Sequence, residues 1–225
     1  MSPSTSPVTG LQLFAHPFSS YCQKVLIALW ADGTEFEYRL LEQDHPENFA
    51  ELKRLWPFGQ FPVLLDGGRP VIETSIIIEY LQMHHPGPNR WIPDGDEGLR
   101  VRFLDRFFDL YIMNLMQLCV ANALRPEGTA DAYGEARARE RLNVAYDWLE
   151  ANLSETWAAG DSFTLADCAA APSLFYADWV EEIGPSRPRL AAYRARLLAH
   201  PFVARAVDEG RPYRHYFPLG APDRD

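Results

Sequence analysis

Residues 11–31 read LQLFAHPFSSYCQKVLIALWA and join two different hydrophobic periods. The apolar run at residues 11–15 predicts a buried strand, and apolar residues at helical spacing from Ser20 onward predict a helix that stops near Gly33. Between them lies a serine-rich turn, where a strand ends and a helix begins. Unpaired backbone amides and the positive end of a helix dipole stabilise anions, so this turn is a candidate site for a thiolate or a carboxylate.

Strands and helices continue to alternate through residue 84. The pattern predicts a strand at 36–41, a helix at 48–55, two strands at 63–65 and 71–73 joined by a turn at Asp66-Gly67-Gly68, and a helix at 75–84. The order β-α-β-α-β-β-α fits a compact α/β domain. We expect both parallel and antiparallel strands in its sheet.

The remainder of the chain has a helical period only. Prolines and glycines at residues 86–97 cannot continue a helix, because proline lacks a backbone donor and restricts the residue before it. From residue 98 onward apolar residues recur every three or four positions. The sequence therefore predicts a loose tail at 1–9, the α/β domain at 10–85, a linker at 86–97 and an all-α C-terminal domain at 98–225.

The sharpest local motif of the helical half is residues 160–167, GDSFTLAD. Thr164 has the hydroxyl of a helix N-cap, and Asp167 is three residues further on, where its carboxylate can reach back to the cap. This is the pattern of a capping box. The motif therefore predicts that a helix begins directly after Thr164.

Composition excludes several classes of partner. Lys and Arg total 21 against 31 Asp and Glu, a net charge of −10, so a nucleic-acid partner would be bound against the overall field. Three widely spaced cysteines do not suit a disulfide framework and indicate a reducing cytoplasm. We expect neither a signal peptide nor a membrane span. The histidines lack the spacing of ligands, so we also expect no metal.

Ser19 and Ser20 can be interpreted in two ways. Serine is a preferred N-cap, so either residue could simply begin the helix, or its hydroxyl could bind an anion. Cys22 lies one turn into the helix and is followed by Val25 and Leu26. That position favours a small buried side chain over a reactive thiol.

Two further segments could bind a ligand. Gln60-Phe61-Pro62 places a proline at the entry to a strand, where a cis bond would turn the preceding backbone amide and carbonyl outward to pair with an extended peptide. Glu73-Thr74 lies between a strand and a helix. Thr74 could be an N-cap or could bind a carboxylate, and Glu73 could bind an amino group.

Together these motifs resemble the cytosolic glutathione transferase superfamily from about residue 11 to residue 202. Ser19-x-x-Cys22 looks like the active-site turn of its serine-type classes, zeta, theta and delta, in a bacterial-style member. Gln60-Phe61-Pro62 is similar to the segment at the family's cis-proline. Glu73-Thr74 is similar to its Glu-Ser pair, with threonine in place of serine. Thr164 to Asp167 resembles the conserved box of its helical domain, which serves folding.

The resemblance implies a thioredoxin-like N-terminal domain, a helical C-terminal domain, a homodimer, and glutathione as co-substrate. Ser19 would be catalytic, through a hydrogen bond to the glutathione sulfur. Residues that would bind glutathione are Ser20, Gln60, Phe61, Pro62, Glu73 and Thr74. The second substrate, a hydrophobic electrophile, would lie against Phe18, Phe107, Tyr111 and Asn114. Which of Ser19 and Ser20 contacts the sulfur is left open.

Departures from family patterns bear on the reaction. Phe14 stands where tyrosine-type classes carry their catalytic residue, and Ser19 replaces the cysteine of thiol-type classes. The zeta pattern Ser-Ser-Cys-Ser-Trp-Arg reads here SSYCQK at residues 19–24. We therefore rank a detoxifying glutathione transferase first, a glutathione-dependent isomerase or disulfide reductase second, and a non-catalytic interaction module of the same fold third.

Overall fold

The computed structural model describes residues 10–225, and the tail predicted at residues 1–9 lies outside the described residues. The chain divides into two compact units, Met1–Asn89 and Arg90–Asp225. Within the described residues, all four strands belong to the first unit and the second unit is helical. This confirms the predicted fold class, an α/β domain followed by an all-α one.

The first unit is a four-stranded mixed sheet with three helices. Its elements in chain order are β1 (Leu11–Ala15), α1 (Ser20–Ala31), β2 (Glu37–Leu40), α2 (Pro46–Leu55), β3 (Val63–Asp66), β4 (Arg69–Ile72) and α3 (Thr74–His84). The strand order is β2-β1-β3-β4, with β1 and β2 parallel and the other two pairs antiparallel. The expected mixture of strand directions is therefore present.

Several element ends in this unit differ from the sequence prediction. Strand β2 is one residue shorter at each end than 36–41, β3 extends one residue further, to Asp66, and α2, β4 and α3 differ as follows. Helix α2 begins at Pro46 and not at residue 48, because the fixed φ of proline suits the first turn of a helix. Strand β4 occupies Arg69–Ile72 and ends before Glu73, which adopts a φ of 73° and leaves the strand. Helix α3 correspondingly begins at Thr74, one residue early.

The core of the first unit surrounds its central strands. All five residues of β1 are buried, as is usual for a strand with neighbours on both sides and covered faces. Phe14 packs with Leu41, Leu52, Val63 and Leu65. Burial of each large apolar side chain in this way contributes about 1.5–3 kcal/mol to the free energy of unfolding. This packing holds the strand ends in place, and the strand ends position the site described below.

The second unit contains six α-helices among its described residues. They are α4 (Gly95–Phe107), α5 (Asn114–Ala123), α6 (Ala132–Asn152), α7 (Leu165–Val180), α8 (Pro188–Ala199) and α9 (Pro201–Gly210). A π-helical segment, Phe108–Met113, joins α4 to α5, and a 3₁₀ segment, Arg211–Tyr216, follows α9. Helix α4 begins inside the predicted linker, because Asp96 and Glu97 are favourable in the first turn of a helix.

The apolar stripe that first indicates α4 is largely exposed. Leu99, Phe103 and Leu110 are 66%, 48% and 38% exposed. The buried face carries a neighbouring set instead, namely Val101, Leu104, Phe108, Ile112, Leu115 and Met116. The sequence therefore predicts the helix correctly from its period. Apolar residues lie on two of its faces, however, and the face used for the prediction is the more exposed one. Of the described helices, none has the length and apolar character that a membrane crossing requires.

Candidate active site

The register of the sheet brings three separate segments of the sequence to one edge. Phe14 near the end of β1 pairs with Val63 at the start of β3, and Val63 pairs with Ile72 at the end of β4. The turn after β1, the segment before β3 and the segment after β4 therefore adjoin one edge of the sheet. These are the turn at residues 16–19, Gln60-Phe61-Pro62 and Glu73-Thr74.

Ser19 is the N-cap of α1 and is half-buried. Its Oγ accepts a hydrogen bond from the Cys22 backbone amide at 3.3 Å. Because a hydroxyl can accept and donate at the same time, the Ser19 proton can still be directed toward a ligand. The positive end of α1 lies at the same position, so the geometry favours an anionic acceptor there.

Ser20 and Cys22, which follow Ser19 on α1, are closed to solvent. Ser20 is 4% exposed, so its hydroxyl is much less accessible than that of Ser19. Cys22 is fully buried, and burial raises the pKa of its thiol to about 12. The sequence-based interpretation of Cys22 as a small buried side chain is therefore confirmed. A thiol in this state is not a nucleophile at neutral pH, which disfavours disulfide reduction through this residue.

Backbone and side-chain bonds hold the turn before α1. The Ser19 amide donates to the His16 carbonyl at 3.0 Å. The Gln23 side chain, 2% exposed, donates from Nε2 to the Pro17 carbonyl at 2.9 Å. Since a buried amide side chain has few alternative partners, Gln23 fixes the turn against the first turn of the helix. Ser19 is thereby positioned by bonds on both of its sides.

The segment before β3 bears out one feature that its resemblance implies. The Phe61–Pro62 peptide bond is cis. Phe61 is half-buried against the core around Phe14, whereas Gln60 is exposed. Lys53 on α2 lies beside this segment, and a Cβ atom placed on Gly59 would be 3.7 Å from its Cγ. An exposed cation thus lies beside Gly59, the residue before Gln60, and the sequence motifs did not indicate it.

Glu73 and Thr74 begin α3. Glu73 is exposed and has a φ of 73°, the one positive φ among the non-glycine residues that the structure describes. A left-handed conformation costs an ordinary residue about 1–2 kcal/mol, and such outliers cluster at functional sites. Thr74 is 7% exposed in the first turn of the helix. The α3 N-terminus thus combines a carboxylate, a hydroxyl and the positive end of a helix dipole.

A buried lysine joins the two helix N-termini of this site. Lys24 on α1 is 1% exposed, and its Nζ donates to the Ser75 Oγ on α3 at 3.0 Å. The sequence reasoning missed this residue. The one signal for it was a lysine between Cys22 and Val25, on a helix that is otherwise apolar on that side. A charged group is rarely buried without polar partners, so Lys24 helps to fix α1 against α3.

The remaining predicted site residues lie at the junction of α4 and α5, except for Phe18, which is half-buried in the turn before α1. Phe107 is 8% exposed and stacks on Trp148, with ring centroids 4.4 Å apart. Tyr111 belongs to the π-helical segment and is 44% exposed, while Asn114 is exposed. Trp148 was not predicted, because a tryptophan in α6 carries no motif of its own.

No group of three or more histidine, cysteine, aspartate or glutamate side chains within residues 10–225 could hold a metal ion. The absence of a metal remains a prediction.

Known protein families match both units. The model of the glutathione S-transferase N-terminal domain matches residues 13–89, and that of the C-terminal domain matches residues 111–201. A Vibrio cholerae protein named "Probable maleylacetoacetate isomerase" is 30% identical over 215 residues, covering 90% of this chain and 98% of its own. A glutathione S-transferase from Hyoscyamus muticus is 27% identical, with 88% and 98% covered.

A solved structure gives the same result. The glutathione S-transferase from Methylobacterium radiotolerans, crystallised in complex with glutathione sulfonate, superposes with a TM-score of 0.75. Its sequence is 29% identical, and the match covers 88% of this chain and 94% of that one. The order of elements, the positions of the motifs and the sequence similarity agree, and the chain belongs to the glutathione S-transferase superfamily.

Proposed function

We propose that this protein is a glutathione transferase that activates the glutathione thiolate for attack on a hydrophobic, electrophilic small molecule. One observation carries the proposal: the half-buried Ser19 hydroxyl at the N-terminus of α1, with its oxygen already accepting from the Cys22 amide. The glutathione sulfonate complex of the M. radiotolerans relative supports glutathione as the ligand. In this proposal glutathione is a co-substrate and no metal takes part.

Ser19 would act by stabilising negative charge on sulfur. A hydroxyl that donates to the thiolate, at the positive end of a helix, favours the charged form over the neutral thiol. The pKa of the bound thiol would then fall below its usual value of about 8.5, so more nucleophile is present at neutral pH. The sulfur lone pair forms a bond to a carbon atom of the electrophile. In a substitution, the electron pair of the broken bond departs with the leaving group. In an addition to a double bond, the displaced electron pair accepts a proton.

The other two segments would hold the rest of the tripeptide. The backbone at Phe61-Pro62 would pair with the cysteinyl residue, with Gln60 beside it and Ser20 supporting the turn. Glu73 would bind the ammonium group of the γ-glutamyl end. Thr74 and the amides that begin α3 would bind its carboxylate. Lys53 is suited to the second carboxylate of glutathione, at the glycyl end.

Further parts of the proposal come from the family and not from the geometry. Phe18, Phe107, Tyr111 and Asn114 remain our prediction for the second-substrate pocket. We also propose a homodimer that works in the cytoplasm and removes reactive electrophiles, without a nucleic-acid or membrane partner. The domain limits predicted at residues 10–85, 86–97 and 98–225 likewise stay a proposal.

A glutathione-dependent isomerase is the second candidate, and a specific observation favours it. The V. cholerae relative, at 30% identity, bears the name of a maleylacetoacetate isomerase. An isomerase would add the same thiolate to the substrate and release it after rotation about a carbon–carbon bond. It regenerates glutathione, whereas conjugation consumes it. Measuring glutathione loss together with turnover of maleylacetoacetate and of model electrophiles therefore separates the two reactions.

Titration of glutathione across a range of pH, followed by the ultraviolet absorbance of its thiolate, tests the proposed activation. We expect wild type to bind glutathione as a thiolate with a lowered pKa, and Ser19→Ala to lose this shift. Thr129→Ala, which removes an exposed hydroxyl in the second unit, is the control and should behave as wild type. Absence of glutathione binding to wild type at millimolar concentration would favour an interaction module instead.

A further inference from the structure

His16 is a half-buried residue of the turn between β1 and α1, three residues before Ser19. Its Nδ1 lies 3.1 Å from the backbone nitrogen of Phe18, whose N–H points at it. No sequence motif indicated a role for this side chain. Its place beside Ser19 gives it a means of acting on the proposed reaction.

This bond requires one protonation state of the ring. A backbone amide can only donate, so Nδ1 has to be the acceptor and must carry no proton. The ring is then neutral, with its proton on Nε2. An imidazolium has protons on both nitrogens and would direct one N–H at another. Protonation of His16 therefore breaks the bond to Phe18.

The same short segment determines where the Ser19 hydroxyl lies. Phe18 precedes Ser19 directly, and the Ser19 amide donates to the His16 carbonyl at 3.0 Å. The His16 amide in turn donates to the Cys22 Sγ at 3.4 Å. His16 thus bonds to the residue before Ser19, to Ser19 and to the helix that Ser19 caps. Of these bonds, only the one to the imidazole depends on a proton that titrates near neutral pH.

We infer that His16 is a positioning residue for Ser19: its neutral imidazole holds the Phe18 amide and so keeps the Ser19 hydroxyl directed at the glutathione sulfur, and its protonation releases the turn. This inference rests on the proposed function. It adds to that function a dependence on acid that is separate from ionisation of the glutathione thiol.

Burial and the neighbouring charged groups determine the pH at which His16 becomes protonated. Burial lowers the pKa of His16 from its ordinary value of 6.5, and the carboxylate of Glu42, between β2 and α2, partly offsets this. The Cys22 thiol on α1 adds no charge, because burial raises its pKa to about 12. With a folded-state pKa below 6.5, the neutral ring prevails at neutral pH. The stabilising bond is lost as the pH falls through that lowered value.

Three variants test the inference through the pH dependence of kcat/KM for glutathione, from about pH 5 to about pH 8. His16→Asn places an amide oxygen where Nδ1 was, so it retains the acceptor and cannot titrate. His16→Ala removes the acceptor. His200→Asn is the matched control, because His200 is a half-buried residue of the second unit and burial lowers its pKa as well.

Near neutral pH we expect His16→Ala to lose about tenfold or more in kcat/KM, and His16→Asn to stay within about threefold of wild type. As the pH falls, kcat/KM of wild type should decrease with the binding of two protons, one to free glutathione and one to His16. For His16→Asn, kcat/KM should decrease with the binding of one proton, to glutathione, so its pH profile should be less steep on the acid side. His200→Asn should keep the wild-type profile.

Two results would overturn the inference while leaving the proposed function standing: equal impairment of the asparagine and alanine variants, or the same acid slope in wild type and His16→Asn. Absence of turnover in wild type would refute the proposed function and not the inference. In that event a measurement that needs no substrate tests the bond between His16 and Phe18. In nuclear magnetic resonance spectra, the Phe18 amide signal should titrate together with the His16 ring. A Phe18 amide that does not respond while the ring titrates would refute the bond.

Discussion

Two helix N-termini, those of α1 and α7, carry a hydroxyl cap and differ in what surrounds it. Ser19 is half-buried; its Oγ accepts from the Cys22 backbone amide at 3.3 Å and also lies within hydrogen-bond reach of the Cys22 thiol. Thr164 is 3% exposed, and the carboxylate of Asp167 accepts from both its amide and its hydroxyl, at 2.9 and 3.1 Å. The first cap has a half-exposed hydroxyl that a ligand can reach, and the second is buried and uses its hydroxyl proton within the protein.

The surroundings of Asp167 complete the contrast. Its other oxygen accepts from the Ala158 amide at 2.8 Å and from the Tyr193 hydroxyl at 2.7 Å. Burial raises the pKa of Asp167, and these four donors counteract that effect. A closed network of this kind adds stability and has no capacity for a ligand, whereas the open cap at Ser19 adds little stability and can bind one. Function can therefore be sought at the less saturated cap.

The largest effect is expected at the closed cap. Asp167→Ala leaves four buried donors without an acceptor, and we expect a loss of roughly 3–5 kcal/mol in the free energy of unfolding. Urea unfolding followed by tryptophan fluorescence measures it. Asp161→Ala, in the same loop but exposed, should change stability by less than about 0.5 kcal/mol. A similar small change for Asp167→Ala would show that the network contributes nothing.

The same truncation at each cap should separate activity from stability. Ser19→Ala should reduce turnover about 100-fold, as removal of one donor from a reacting anion does, and lower stability by about 0.5–1 kcal/mol, the ordinary value of a cap. Thr164→Ala should lower stability by about 2 kcal/mol and leave turnover per folded molecule unchanged. Turnover rates and urea unfolding on both variants check this. Equal effects on turnover would remove the distinction between the caps.

A smaller effect is expected at the third N-terminus, that of α3. Glu73→Gly relieves the left-handed backbone at φ 73° and should raise the free energy of unfolding by about 0.5–1 kcal/mol, after the entropy cost of glycine. It also removes the carboxylate, so we expect the KM for glutathione to increase about tenfold. Glu73→Ala should raise KM equally without the gain in stability. A glycine variant with unchanged KM would exclude Glu73 from binding.

The smallest effect is expected at the thiols. All three cysteines are buried, and burial raises the pKa of Cys22 to about 12, so its reactive thiolate is scarce at about pH 8. Native protein should therefore react with a disulfide reagent only as fast as it unfolds, and all three thiols should react in urea. Rapid reaction of one native thiol would contradict the closed environment around Cys22.

The elements that depend on neighbours in sequence were predicted well. The period of apolar residues gave the order of strands and helices, and the Thr164 and Asp167 spacing gave the start of α7. The limits of α2, β4 and α4 were missed by one to three residues. The end of an element depends on single residues, such as Pro46 at the start of α2. The effect of one residue on the structure is smaller than that of the hydrophobic period over the whole element, so ends are harder to predict.

The sequence by itself determined the element order and the caps, because periodicity and capping act over a few residues along the chain. Only the tertiary structure decided that the turn at Ser19, the segment before β3 and Glu73 adjoin one edge of the sheet, since strand register joins positions far apart in sequence. It also decided that Lys24 is buried and Phe103 exposed. Burial depends on which faces other elements cover, and no local pattern encodes that.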